Sequence, residues 1–109
     1  MRIITSETEV KQLQKKGLID SKTSSRMAEV IQVLNDNYGA ERDVKRDLGG
    51  FVVLIEDKKD WKDLIGLFGI DVKAYEYEEE IDDSDFVEKL FVLSSDYVLV
   101  VFMNRKSVK

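Results

Sequence analysis

A chain of 109 residues is one domain by length and can bury a real core without disulfide or metal staples. It holds no Cys, His or Pro, which removes disulfides, thiolate and imidazole metal sites, the commonest general base near neutral pH and the most nucleophilic side chain. With 36% charged residues and a formal net charge of −5, the surface is dense in mixed charge without a cationic excess. That argues against a nucleic-acid binder and most enzyme mechanisms, leaving only carboxylate, Lys, Tyr and Ser chemistry open.

In chain order, residues 1–4 admit a short strand, after which Ser6 and Glu9 fit the S-x-x-E capping box, two side chains satisfying each other's exposed amides. The helix that follows runs to about Lys16 with a thin apolar face, Val10 and Leu13, and Gly17 is its stop. Residues 20–25 are polar and offer several N-caps. Met27, Val30, Ile31, Leu34 and Tyr38 then form a stripe at helical spacing that ends at residues 37–39. Residues 40–47 read as a mixed-charge connection. A helix-turn-helix would place buried apolar residues soon after the turn, where this chain has Ser21, Lys22, Thr23, Ser24, Ser25 and Arg26, so that reading fails. Nine basic and eight acidic side chains in residues 1–50 leave no footprint for phosphates.

Residues 49–68 organise the rest. Five consecutive apolar residues, 51–55, suit a strand buried on both faces, because a strand with one wet face would alternate. From Asp57 or Asp60 the pattern turns helical, with Trp61, Leu64, Ile65 and Phe68 on one side and Gly69 as the stop. Ile70, Val72 and Ala74 alternate with polar neighbours, which predicts a strand over 70–77, parallel to 51–55 through a right-handed helical crossover. Residues 86–93 and 97–103 read as a hairpin with its turn at 94–96, and residues 105–109 as a frayed tail. The expectation is a single α+β domain, a helical portion at 1–48 followed by a β-α-β-β-β unit at 49–104. Its four-stranded mixed sheet, with strands numbered in chain order, runs 2-1-4-3. Phe51, Val53, Ile55, Trp61, Leu64, Phe68, Leu99, Val101 and the second helix's stripe should form the core. The inner strands need cover on both faces, either from the N-terminal helices on one and the third helix on the other, or from a second subunit in a homodimer, which the thin apolar face of the first helix favours.

The stretches DLGGFVVLIED and FVLSSDYVLVVFM resemble small uncharacterised proteins of Gram-positive bacteria and their phages or mobile elements. The resemblance covers about half the chain, brings no catalytic motif and implies no functional residue.

Four motifs compete with plainer readings. Glu56, Asp57, Asp60 and Asp63 suggest a hard-metal cluster, yet acidic residues at a helix start are explained by the helix dipole. The run Asp82, Asp83, Ser84, Asp85 lacks the Gly and Glu of an EF-hand loop. Gly66 and Gly69 have the spacing of a backbone-clamping G-x-x-G loop but enclose Leu67 and Phe68, an apolar pair that belongs to a core. The fourth is the acidic segment 76–88, with eight acidic and no basic residues. It makes residues 51–109 carry −6 against +1 for residues 1–50, and its plainer reading is a solubilising loop.

The expected function is therefore a non-catalytic binding or regulatory module that docks a basic protein partner. Tyr75, Tyr77 and Phe86 would be apolar anchors, with Glu78, Glu79, Glu80, Asp82 and Asp83 steering the encounter. The alternative is a small enzyme using carboxylates or a bound divalent metal. No cofactor, nucleic acid or membrane is expected. The longest apolar run, residues 97–103, falls far short of the roughly 20 residues that span a bilayer. MRIITSETEV lacks a signal-peptide layout, so the cytoplasm is expected.

Overall fold

The computed structural model describes residues 1–39, 49–94 and 97–106. The connection expected at 40–47, residues 95 and 96 of the expected turn and residues 107–109 of the expected tail lie outside the described residues. Among the described residues the fold is α+β with three helices and one mixed sheet. Its elements are β1 (Arg2–Ile4), α1 (Glu7–Lys15), α2 (Ser21–Tyr38), β2 (Gly50–Ile55), α3 (Lys58–Phe68), β3 (Tyr77–Glu80), β4 (Phe86–Ser94) and β5 (Tyr97–Asn104).

Helix boundaries follow local chemistry. Ser6 caps α1 by accepting from the Glu9 N–H at 3.3 Å, which is half of the expected capping box; the Glu9 carboxylate accepts from the Ser6 hydroxyl at 3.2 Å and the Thr5 hydroxyl at 3.3 Å in place of the Ser6 amide. Asp57 caps α3 by accepting from the Asp60 N–H at 2.9 Å, and Gly69 ends that helix in the left-handed region at φ 64°. Of the N-caps that residues 20–25 offer, the first is used: Asp20 accepts from the Thr23 N–H at 2.7 Å, and the polar residues from Ser21 onward are helical. Thr23 and Ser24 are buried there.

The sheet has five strands where four were expected, in the order β1-β2-β5-β4-β3. The inner pair is as the apolar runs require. β2 lies parallel to β5 with Phe51 beside Leu99 and Val53 beside Val101, and β4 is antiparallel to β5. The strand expected at 70–77 does not form. Asp71 closes a local turn instead, its carbonyl accepting from the Ala74 N–H at 2.9 Å and its carboxylate from the Lys73 N–H at 3.0 Å, which is how Asp side chains compete with a ladder. The place beside β2 goes to antiparallel β1, and Tyr77 opens an edge strand on the far side, against β4. The outer order expected from 2-1-4-3 is thus corrected, as is the parallel partner of β2.

Alternate residues of the central strands feed two cores. On one face Val52, Leu54, Val100 and Phe102 pack with α1 and α2 through Val10, Leu13, Met27, Val30, Ile31 and Leu34. On the other, Phe51, Val53, Ile55, Leu99 and Val101 pack with Leu64 of α3, with Trp61, Ile65 and Phe68 at the margin. Of the expected core, Trp61 and Phe68 are half-buried and Tyr38 is exposed. The helical pair on one face and α3 on the other cover the sheet within one chain, so uncovered strand faces no longer call for a second subunit.

Candidate functional site

The acidic segment comprises the last turn before β3, β3 itself, the β3–β4 turn and the start of β4. Its strand register decides which carboxylates are available. On β4, Phe86, Glu88 and Leu90 share the face toward α2, and Val87, Lys89 and Phe91 share the face toward α3. Glu88 is consequently 1% exposed.

A buried carboxylate needs partners, and Glu88 has three bonds. The Arg26 guanidinium of α2 reaches it bidentately, Nε to Oε1 at 2.5 Å and Nη2 to Oε2 at 3.0 Å, and the Tyr77 hydroxyl of β3 donates to Oε2. Arg26 also donates to Glu29 at 3.3 Å. Burial and the hydrogen bond to Glu88 push the Tyr77 hydroxyl up to about 12. The Glu88 hydrogen bonds and charge raise Arg26 further above its already high range. This cluster ties β3 through β4 to α2.

A second polar group holds the β3–β4 turn. Ser84 Oγ–H donates to Asp20 Oδ2 at 2.5 Å, lies 3.1 Å from Thr23 Oγ1 and accepts from the Phe86 N–H at 3.1 Å. Burial alone would raise the Asp20 carboxyl, but the bonds from Ser84 and Thr23 outweigh it and hold it below the usual carboxylate range. A carboxylate held that way is a weak base toward Ser84, so the pair serves the cap and the turn better than nucleophilic chemistry.

The sequence-derived site residues divide. Phe86 is a core residue at 6% exposure, so the expectation that it anchors a partner is corrected: its parity on β4 turns it inward. Tyr77 is half-buried with its hydroxyl on Glu88. Tyr75 is exposed, lies edge-on to Phe91 and carries Lys89 Nζ 4.9 Å above its ring. Glu78 pairs with Lys89 at 3.7 Å, Glu80 with Arg105, and Asp85 with Lys106 at 3.3 Å. Glu79, Asp82 and Asp83 are exposed, and among the described residues none has an ion-pair partner. Glu79, Glu80, Ile81 and Asp82 line an open groove of about 260 Å³ with Arg26 and Glu88. Two further open grooves of similar size lie between β1 and α1 and beside Gly17, Leu18 and Phe86. The Arg26–Glu88–Tyr77 cluster went unseen in the sequence. The signal was Glu88 sitting between Phe86 and Leu90 in the inward parity.

The other acidic cluster resolves into capping. Asp57 is the N-cap of α3, while Asp60 accepts from the Glu56 N–H at 2.9 Å and from the Met1 amino group at 2.5 Å. Among the described residues no three acidic side chains are grouped as a metal ion requires, and no helix is long and apolar enough to cross a membrane. Comparison of the chain with protein-family models, curated proteins and solved structures finds no match.

Proposed function

We propose that the protein is a binding or regulatory module whose acidic surface, at β3 and the β3–β4 turn, docks a basic segment of another protein. The observation that supports this is the surplus of carboxylates. Of the eight in residues 76–88, Glu88, Glu78, Glu80 and Asp85 have ion-pair partners. Glu76, Glu79, Asp82 and Asp83 stand in water beside them with none among the described residues. The pairs of Glu80 and Asp85 are exposed and worth about 0–1 kcal/mol each, so an incoming cation can replace Arg105 or Lys106 at little cost. Tyr75 is the aromatic beside this surface that remains exposed.

Affinity capture from the native cell tests this reading, using the wild type and a variant with Glu79→Gln, Asp82→Asn and Asp83→Asn. A basic protein should be retained by the wild type at low salt, weakened at high salt as the Debye length shrinks from about 10 Å at 0.1 M to about 3 Å at 1 M, and lost with the variant. Identical captures from both proteins, or no capture from either, would leave a solubilising surface.

A further inference from the structure

We propose that the outer edge of β3 is a strand-pairing site that takes an extended, lysine- or arginine-rich segment of a partner protein, with Glu78 and Glu80 supplying the main-chain bonds. The inference rests on the acidic docking reading and adds the geometry of recognition.

It follows from the register. The Ile81 N–H donates to the Phe86 carbonyl at 3.1 Å, and the pairs that follow are Glu80 with Val87, Glu79 with Glu88, Glu78 with Lys89 and Tyr77 with Leu90. In an antiparallel ladder hydrogen-bonded and non-bonded pairs alternate. Ile81, Glu79 and Tyr77 therefore spend their backbone groups on β4, and those of Glu78 and Glu80 face the other way. The sheet order ends at β3, so no described strand meets them. Four main-chain groups point outward from an exposed segment, the template that strand addition uses. β1, at the opposite edge, has three residues, and its Arg2 is spent on Glu56 at 3.4 Å.

Charge selects the occupant. Antiparallel pairing of β3 with a second copy would set glutamate against glutamate, which is repulsive in a cross-strand pair. A basic strand reverses the sign: residues on its α2 side meet Glu79, which has no ion-pair partner among the described residues, and residues on its other side meet Glu78 and Glu80. The cluster beneath stiffens the platform, because Tyr77 binds Glu88 and Glu88 binds Arg26. The triple-glutamate strand thus opposes pairing with its own copy at this edge and favours a basic strand.

The test uses the full chain and a short synthetic peptide alternating lysine and threonine, compared with the same peptide N-methylated at its central residues, which keeps the charge and removes the donors. Binding is followed by fluorescence anisotropy, and amide hydrogen exchange reports the protein side. The unmethylated peptide should bind about tenfold more tightly, the worth of one to two net hydrogen bonds. It should slow exchange at Glu78 and Glu80 while leaving Glu79, already bonded to β4, unchanged. Glu80→Pro deletes an outward N–H, a change edge strands tolerate, and should weaken binding more than Glu80→Gln, which removes only the charge. Equal binding of both peptides with no protection at Glu78 and Glu80 would overturn strand pairing and leave electrostatic docking standing. No binding of either peptide at low salt would overturn both.

Discussion

At the scale of single residues, the energetic stakes are highest where a charge is buried. A carboxylate at 1% exposure loses several kcal/mol of hydration unless its partners replace it, and Arg26 is the partner that supplies opposite charge. Arg26→Met should therefore destabilise the protein by about 2–4 kcal/mol in urea unfolding. That is at the lower side of the roughly 3–5 kcal/mol typical of a broken buried pair, because the Arg26 side chain is still 39% exposed and screened by water. Adding Glu88→Leu should recover most of the loss, since an apolar pair there costs no desolvation; a double variant as unstable as Arg26→Met would mean that the bidentate bond itself, and not the stranded charge, carried the energy. Tyr77 supplies a pH signature. Its hydroxyl is pushed up to about 12 in the fold, above the unfolded value near 10. The stability it contributes is thus fully present below about pH 10 and is lost as pH rises through about 12. The stability gap between wild type and Tyr77→Phe should close over that window, and a gap constant from pH 8 to 12 would contradict the Tyr77–Glu88 bond. None of this cluster was legible from residue types, because Glu and Arg in a chain so highly charged read as surface. The parity of Phe86, Glu88 and Leu90 was there to be read and was outweighed by the charge.

At the scale of elements, α2 and β2 approach so closely that the glycine between them has a packing role. A Cβ on Gly50 would lie 2.3 Å from Leu34 Cδ2, 3.1 Å from Leu34 Cγ and 3.1 Å from Tyr38 Cε2. Leu34 is buried and has little room to retreat. Gly50→Ala should therefore cost about 1–3 kcal/mol, as overpacked cores do, even though Ala is the better strand former. Thermal unfolding with a melting temperature equal to the wild type's would show that α2 shifts freely on the sheet. On the opposite face Leu64 is fully buried, and Leu64→Ala should cost about 2–5 kcal/mol. These elements were the readable ones. Apolar runs two-sided in β2 and β5 demanded central places, and the capping residues Ser6 and Asp57 with Gly69 marked helix ends by local chemistry. Edge elements were harder. Residues 70–77 alternate like a strand, but Asp71 offers the backbone a turn at once, and a run of glutamates is a poor strand former on its own. β3 exists because Tyr77 and Glu79 find partners on β4, a tertiary bond that no local pattern announces.

At the scale of the whole molecule, the layering settles what the sheet itself requires. A sheet apolar on both sides must be covered on both sides, and α1 with α2 on one face and α3 on the other do so within one chain. Among the described residues what remains outside is modest: Val33, Leu67, Val92 and Leu93 are exposed large aliphatics. They stand on α2, α3 and the end of β4 and not on one element, and scattered apolar side chains are ordinary on a soluble surface. The edge strand β3 repels its own copy, and the chain's formal net charge of −5 adds a general repulsion. Sedimentation equilibrium at micromolar concentration should therefore give the 12.6 kDa chain. A species of about twice that mass would point to an interface built from α2, α3 or β4 side chains, and raising the salt then identifies it. An apolar interface persists or tightens at high ionic strength, whereas pairing held by charge weakens as screening sets in. Adding the lysine-threonine peptide to the same cell completes the comparison: a strand that fits the outer edge of β3 should raise the mass by one peptide per chain without promoting dimers, because the peptide occupies the main-chain groups of Glu78 and Glu80 that a second chain would need.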